Sequence, residues 1–465
     1  MTVDNSPLAT ARRNSELGLV VMAAVITAIA YTLASLGTNA QIPARIIPFL
    51  VALLGLLLSA HVANRLLARG ADGTMLPLAV LLNGIGYVVI ARLSERLAGL
   101  QTTWTFIAVV AFVAVLLLVQ RPADLARYQW TFLFIGAGLL MLPLVPGLGT
   151  SVGGARIWVS LGPINFQPGE FAKLALALFF AGYLADNAAA IKAGNRRIGP
   201  LHVPDMQYLL PITFAWGFAV AVMVAEKDLG SALLFFTLFT VMVWVATGRA
   251  IFLLLGLLLF SGAAVVAYQL FDVVRTRVSI WLDPWSQYEG KGYQIVQAMF
   301  AFANGGTGGT GLGLGSPTKI PAAKTDYIFA AIGEELGLLG ATAVLVAFLL
   351  LMGAGLRVAM RATQPFNQLL AVGLTTIIGM QAFIIVGGVI RVVPLTGITL
   401  PFVSYGGSSL LANWVLLALL VRLSDTNARR SGEVVDNLNP AERWQAWRLR
   451  RAEKKAAKSG RTAGA

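Results

Sequence analysis

The sequence predicts an all-α fold: a polytopic transmembrane helical bundle of about twelve spans with one large, structured extracytoplasmic loop. Three observations carry this. The 465 residues are 57% hydrophobic and 12% charged, against roughly 25% charged residues in a soluble domain, and mean hydropathy is +0.76. Apolar runs such as 17–34, 209–225 and 251–270 are long enough to cross a ~30 Å hydrocarbon core as helices. One stretch, 275–319, is instead polar and glycine-rich. It carries Trp281, Trp285, Tyr288, Tyr293, Phe300 and Phe302, and disordered segments are poor in aromatics.

Taken in order, the apolar runs place spans at 18–36, 46–68, 75–92, 103–119, 130–146, 170–186, 207–225, 230–247, 250–270, 327–352, 367–389 and 407–423. The alternating segments of ~10 residues that a membrane β-barrel requires are not seen. The first run is long and lacks a small-residue cleavage site, so it reads as a span rather than a cleaved signal. With the N-terminus inside, Arg65, Arg69, Arg121, Arg127, Lys192, Arg196, Arg197, Arg249, Arg357 and Arg361 fall in cytoplasmic loops, as the positive-inside rule requires. Arg45, Arg92 and Arg96 are exceptions. Loops 147–169, 271–326 and 390–406, and the turn Glu226-Lys227-Asp228-Leu229-Gly230, then emerge outside.

The organisation follows: a cytoplasmic N-terminus (1–17), N-terminal spans (18–146), a core (147–424) containing the large loop (271–326), and a basic cytoplasmic tail (425–465). The net charge of +14 does not indicate nucleic acid, because much of it sits in that tail and topology explains the rest. An amphipathic helix is expected at 440–458, around Trp444 and Trp447. It either touches anionic inner-leaflet lipid or a cytosolic partner, or only solubilises and orients the chain. Absence of cysteine excludes disulfides and thiolate metal sites. His61 and His202 are isolated in sequence, and His61 is expected to pack rather than ligate.

Charges at bilayer depth cost at least ~2.5–3.5 kcal/mol and mark function by default. Four places qualify. Glu170 and Lys173, at i,i+3 after Pro168, share a helix face; they either anchor a helix end as an ion pair or, with Arg156, receive an anionic headgroup. Asp228 suits a helix N-cap. Asp326 suits another, in Lys324-Thr325-Asp326-Tyr327; further on, Glu334 and Glu335 lie in an apolar helix and need a partner from elsewhere. Arg391 precedes the run from Thr396 to Ser409, whose glycines and hydroxyls, including Ser404, Ser408 and Ser409, leave backbone N–H groups at a helix start. That is an anion site or a close-packing device.

Together these segments resemble the SEDS family, the RodA and FtsW proteins of bacterial wall synthesis. The resemblance rests on Gly154-Ala155-Arg156 with Trp158, Gln167-Pro168 with Glu170-Phe171 and Lys173, Asp228-Leu229-Gly230-Ser231, Thr325-Asp326-Tyr327-Ile328-Phe329-Ala330 with Gly333-Glu334-Glu335-Leu336-Gly337, and Pro401-Phe402 with Ser404-Tyr405-Gly406-Gly407-Ser408-Ser409. All occur in family order. It implies a glycosyltransferase, of the RodA-like elongation branch rather than the FtsW-like division branch. Such an enzyme polymerises lipid II, the undecaprenyl-pyrophosphate-linked disaccharide pentapeptide, outside the membrane, beside a class B penicillin-binding protein. Two spans are extra relative to common members and lie N-terminal to the matching region.

One departure stands out. The family places an essential aspartate five residues before a Gly-Tyr-Gln triplet, and here that position, counted from Gly292-Tyr293-Gln294, is Gln287. Gly169 also stands where serine is common. The nearest loop carboxylates are Asp283 and Glu289, taken in that order as the expected base; Asp283, before Pro284, also suits a turn. The expected reaction needs a base for the acceptor hydroxyl and positive charge for the departing pyrophosphate. Arg156, Lys173, Lys324 and Arg391 are the expected cations, with Glu170, Asp326, Ser404, Ser408 and Ser409 completing the binding set. A divalent cation (Mg or Mn) held by oxygen ligands is compatible with this chemistry. A lipid II flippase and a non-catalytic scaffold for a penicillin-binding protein are the competing readings.

Overall fold

The computed structural model describes residues 7–40, 46–152, 155–162, 164–193, 196–198, 201–203 and 206–431. The amphipathic segment expected at 440–458 lies outside them. Helices α1 (Pro7–Asn39), α2 (Ile46–Leu67), α3 (Met75–Leu93) and α4 (Glu95–Leu118) come first. A single 3-10 turn then leads into α5 (Gln129–Met141). After a small sheet, β1 (Gly149–Val152), β2 (Ala155–Leu161) and β3 (Ile164–Phe166), come α6 (Gly169–Ala193), the hairpin β4 (Arg196–Ile198) and β5 (Leu201–Val203), α7 (Met206–Ala225), α8 (Leu229–Thr247) and α9 (Ile251–Leu270). The large loop holds α10 (Asp272–Leu282) and α11 (Tyr293–Gly305). The chain closes with α12 (Ile328–Arg361), α13 (Pro365–Val389) and α14 (Gly407–Arg430).

Eleven helices among the described residues are long and apolar enough to cross a membrane. They match the expected spans except 46–68, where a helix, α2, forms but is not among the eleven. Several helices are longer than the expected spans, α1, α6 and α14 among them. The helix expected at 103–119 begins at Glu95, because Ser94 accepts a hydrogen bond from the Leu97 N–H and caps it. The helix expected to end near 352 runs on to Arg361. The loop 147–169 holds the small sheet. Its Ile157-Trp158-Val159 run pairs antiparallel with both neighbours, Val159 facing Gly149 and Phe166, as β-branched and aromatic residues favour.

α13 and α14 are buried over most of their length and form the centre. α13 packs on α12, α6 and α8, while α14 runs along α4, where Phe112 meets Trp414 edge-on at 5.6 Å. Leu254, Leu257, Leu258 and Val265 of α9 remain exposed, an outward apolar face suited to lipid. Several charged residues inside the bundle are paired. Glu16 accepts from the Asn64 amide at 3.0 and 3.1 Å and meets His61 Nδ1 at 2.7 Å, so His61 packs as expected. Glu335 finds Arg92 of α3 at 3.3 Å, and Glu334 accepts from the Ser316 N–H at 3.1 Å.

Candidate active site

The polar segments gather at the end of the bundle that carries the three long loops, and cross-links between the loops hold them there. The Arg156 N–H donates to the Glu226 carbonyl at 3.0 Å, and the Tyr405 N–H to the Lys324 carbonyl at 2.9 Å. Ser408 Oγ accepts from the Gln167 N–H at 3.0 Å. Ser404 Oγ donates to the Thr325 carbonyl at 2.6 Å and accepts from the Leu400 N–H. Ser409 Oγ accepts from Thr399 and Asn413. Ser404 and Ser408, expected on an anion, thus join loops, while Ser409 ties the start of α14 to the loop before it.

Other expected residues are also committed. Lys173, buried at 2% exposure, donates to Glu170 at 2.6 Å and to Gln381 of α13 at 3.0 Å. It ties α6 to the centre, and breaking such a buried pair by removing one partner costs about 3–5 kcal/mol. Arg391 donates to the carbonyls of Trp281, at 2.8 Å, and Leu282, while the Trp281 indole donates back to the Arg391 carbonyl at 3.0 Å. Arg391, expected on the phosphate side, therefore clamps the end of α10. Arg156 donates to the Val145 carbonyl at 3.3 Å. Lys324 is exposed.

The two expected bases lie in the large loop, at the end of α10 and beyond it. Asp283 is exposed at the end of α10, where its Oδ1 accepts from the N–H groups of Trp285 and Ser286, a local turn of the kind Asp favours. Glu289 is exposed too. Gln287 donates to Ser279 Oγ at 3.0 Å, on an exposed face of α10.

The geometry brings forward Arg277, which sequence reasoning missed. Two residues from Ser279, it points to the other side of α10 and donates to the Thr396 carbonyl at 3.1 Å. Its charge acts on both Asp228 and Asp326. A cation just beyond the outer end of a span, against the positive-inside pattern, was the available signal. Asp228 caps α8, its two oxygens taken by the Ser231 N–H and hydroxyl at 3.0 and 2.6 Å. Burial raises its carboxyl above the ordinary range, against the opposing pull of Ser231 and Arg277. Burial, with the charge of Asp228 behind it, pushes Glu226 up to about 8. Burial pushes Asp326 up to about 6, with the Thr325 hydroxyl and Arg277 acting in the other direction. Gly397, at φ +81°, completes the arrangement. A Cβ there would lie 3.6 Å from Asp326 Oδ2 and 4.0 Å from a terminal nitrogen of Arg277. Asp326 and Arg277 thus both approach the backbone at Gly397.

Among the described residues no three carboxylate or imidazole side chains converge to hold a divalent cation, and the positive charge beside Asp228 and Asp326 comes from Arg277. A divalent cation shared with a substrate pyrophosphate would need only one or two protein carboxylates.

A many-spanning helical bundle whose polar chemistry is confined to one end defines a multi-pass membrane protein with a built site at that end. The chain belongs to the cell cycle protein family of FtsW, RodA and SpoVE, whose model matches residues 72–429. That match takes in α3 to α5, ahead of the core delimited at 147, and leaves α1 and α2 before it. The chain is 43% identical over 435 residues to the peptidoglycan glycosyltransferase RodA of Mycobacterium tuberculosis (strain ATCC 25618 / H37Rv), covering 91% of this chain and 92% of that protein. Among solved structures it is similar to a chain from work described as the structural coordination of polymerization and crosslinking by a peptidoglycan synthase complex. That match has a TM-score of 0.62 at 26% identity, over 77% of this chain and 98% of the other. It is also similar to the rod shape determining protein RodA of Thermus thermophilus, at TM-score 0.53 and 25% identity, over 76% and 96%.

Proposed function

We propose that this protein is a peptidoglycan glycosyltransferase of the RodA type. It joins lipid II disaccharide units into glycan strands on the outer face of the bacterial cytoplasmic membrane, in cell elongation. A class B penicillin-binding protein is its partner for crosslinking, and both termini are cytoplasmic. The observation that carries the reading is the convergence of Arg277 and Asp326 over Gly397, at the end of the bundle where the family's motif segments meet. A recessed carboxylate supplies a proton acceptor, and Arg277, Arg156 and the exposed Lys324 supply positive charge for a departing pyrophosphate. Preorganised charge of this kind contributes most where water is excluded. The test is formation of glycan chains from lipid II by the purified protein, resolved on a gel, with and without a class B partner. Movement of labelled lipid II across vesicles with no glycan product would replace polymerase by flippase.

Gln287 favours a second reading, a non-catalytic scaffold for the penicillin-binding protein, because its amide is bonded to Ser279 where the family carries an acid. An inactive parent that gains polymerase activity on Gln287→Asp would establish it.

A further inference from the structure

We infer that Asp326 is the general base of this chain, taking the proton of the attacking sugar hydroxyl, with the positive charge of Arg277 close beside it at Gly397. The inference rests on the glycosyltransferase reading and resolves the absence of an acid at Gln287.

The other carboxylates at this end of the bundle are committed, protonated or out in solvent. Glu170 is bound to Lys173, Glu334 to the Ser316 N–H and Glu335 to Arg92. Asp272 is exposed and paired with Arg275 at 2.8 Å. Both oxygens of Asp228 are held by Ser231. Glu226, at about 8, is protonated at neutral pH. Asp283 closes its own turn, and Glu289 lies out in solvent. Of this set, Asp326 lies beside a cation at Gly397, where its Oδ2 and the Arg277 guanidinium both approach.

Its placement is rigid, as a catalytic group requires. Thr325 before it is fixed through its carbonyl by Ser404. The Lys324 carbonyl is held by the Tyr405 N–H, and the Tyr327 N–H reaches back to the Ala322 carbonyl. A titration near 6 leaves the carboxylate mostly ionised at neutral pH yet more basic than an exposed aspartate, which suits proton abstraction near pH 7.

The step balances. The acceptor O–H bond breaks and its proton goes to Asp326. The oxygen forms the new glycosidic bond at the anomeric carbon of the donor. The bond from that carbon to the pyrophosphate oxygen breaks, and its electron pair leaves with the lipid pyrophosphate. Asp326 then returns the proton to water.

The experiment is lipid II polymerisation by the full-length protein with a class B partner. Asp326→Asn is expected to lower turnover about 10²–10⁴-fold, the usual contribution of a general base, while retaining bound lipid II; Asp326→Glu is expected to recover part of it. Should Asp326→Asn not fold, the pH profile carries the test. The wild type loses activity as pH falls through about 6, because the base becomes protonated. Arg277→Gln, which removes a charge that favours the ionised form, moves that limb upward, and Arg277→Lys moves it less. Near-full turnover by Asp326→Asn, a larger loss with Asp283→Asn, or an acid limb unmoved by Arg277→Gln would each overturn this assignment and leave the polymerase reading standing. An inactive wild type would remove both.

Discussion

Glu226 shows how one residue's surroundings set its chemistry. It follows α7 directly, is 4% exposed, and has the like charge of Asp228 two positions on, so its carboxyl titrates near 8 in the folded protein against 4.5 as the reference. Between those values the folded state holds a proton that the unfolded state has released. Stability therefore falls as pH rises from about 4.5 toward 8. Glu226→Gln keeps the neutral shape and is expected to remove that slope. The difference between variant and wild-type melting temperatures, followed from pH 5 to pH 8.5, should grow in the variant's favour, and a shrinking difference would contradict the assignment. Arg391 carries the complementary lesson. Its sequence neighbours suggested an anion ligand, yet its guanidinium reaches carbonyls at the end of α10; the partners lie more than a hundred residues away and no local pattern announces them.

Among the elements, α12 and the glycine-rich loop are built as one piece. Thr310 and Gly311 donate to the carbonyls of Glu334 and Glu335, and Leu338 and Leu339 donate to those of Gly306 and Thr307. This exchange needs the helix to open, which it does at Gly337, with φ +67° and ψ −166°, a region essentially reserved for glycine. A Cβ there would also run into the Gly309 backbone. Gly337→Ala is expected to cost more than the ~1–3 kcal/mol of the backbone strain alone, and to lower the melting temperature in detergent. Gly353→Ala in the same helix, where a Cβ meets only the Arg357 guanidinium at 4.0 Å, is expected to leave it unchanged. Equal melting temperatures for the two variants would show that the loop does not depend on this opening. The loop's aromatics and length marked it as structured, and Glu334 and Glu335 as needing partners. That the partners would be Arg92, from α3, and a loop N–H was not legible, because hydropathy and motif order say nothing of which groups packing brings together.

For the whole molecule, the proposed orientation, with the site facing outward, is directly testable because the chain has no cysteine. Ser286 and Ser431 are both exposed and lie at opposite ends. In intact cells, Ser286→Cys should react with a membrane-impermeant maleimide, whereas Ser431→Cys should react only after permeabilisation. The reverse pattern would put the site in the cytoplasm and remove the proposed substrate face.

Span positions, the crowding of polar motifs at one end and the family resemblance were all determined by the sequence itself, because hydropathy, charge bias and motif order act over short windows and need no knowledge of distant contacts. Which charged residue does what was decided only by the tertiary structure. Lys173, Arg391 and the serines turned out to join segments, Asp283 to close a turn, and Arg277 to meet Asp326 over Gly397. The reason is physical: a side chain's role depends on the partners that packing brings within a few ångströms, and here those partners come from α10, the start of α12 and the loop before α14.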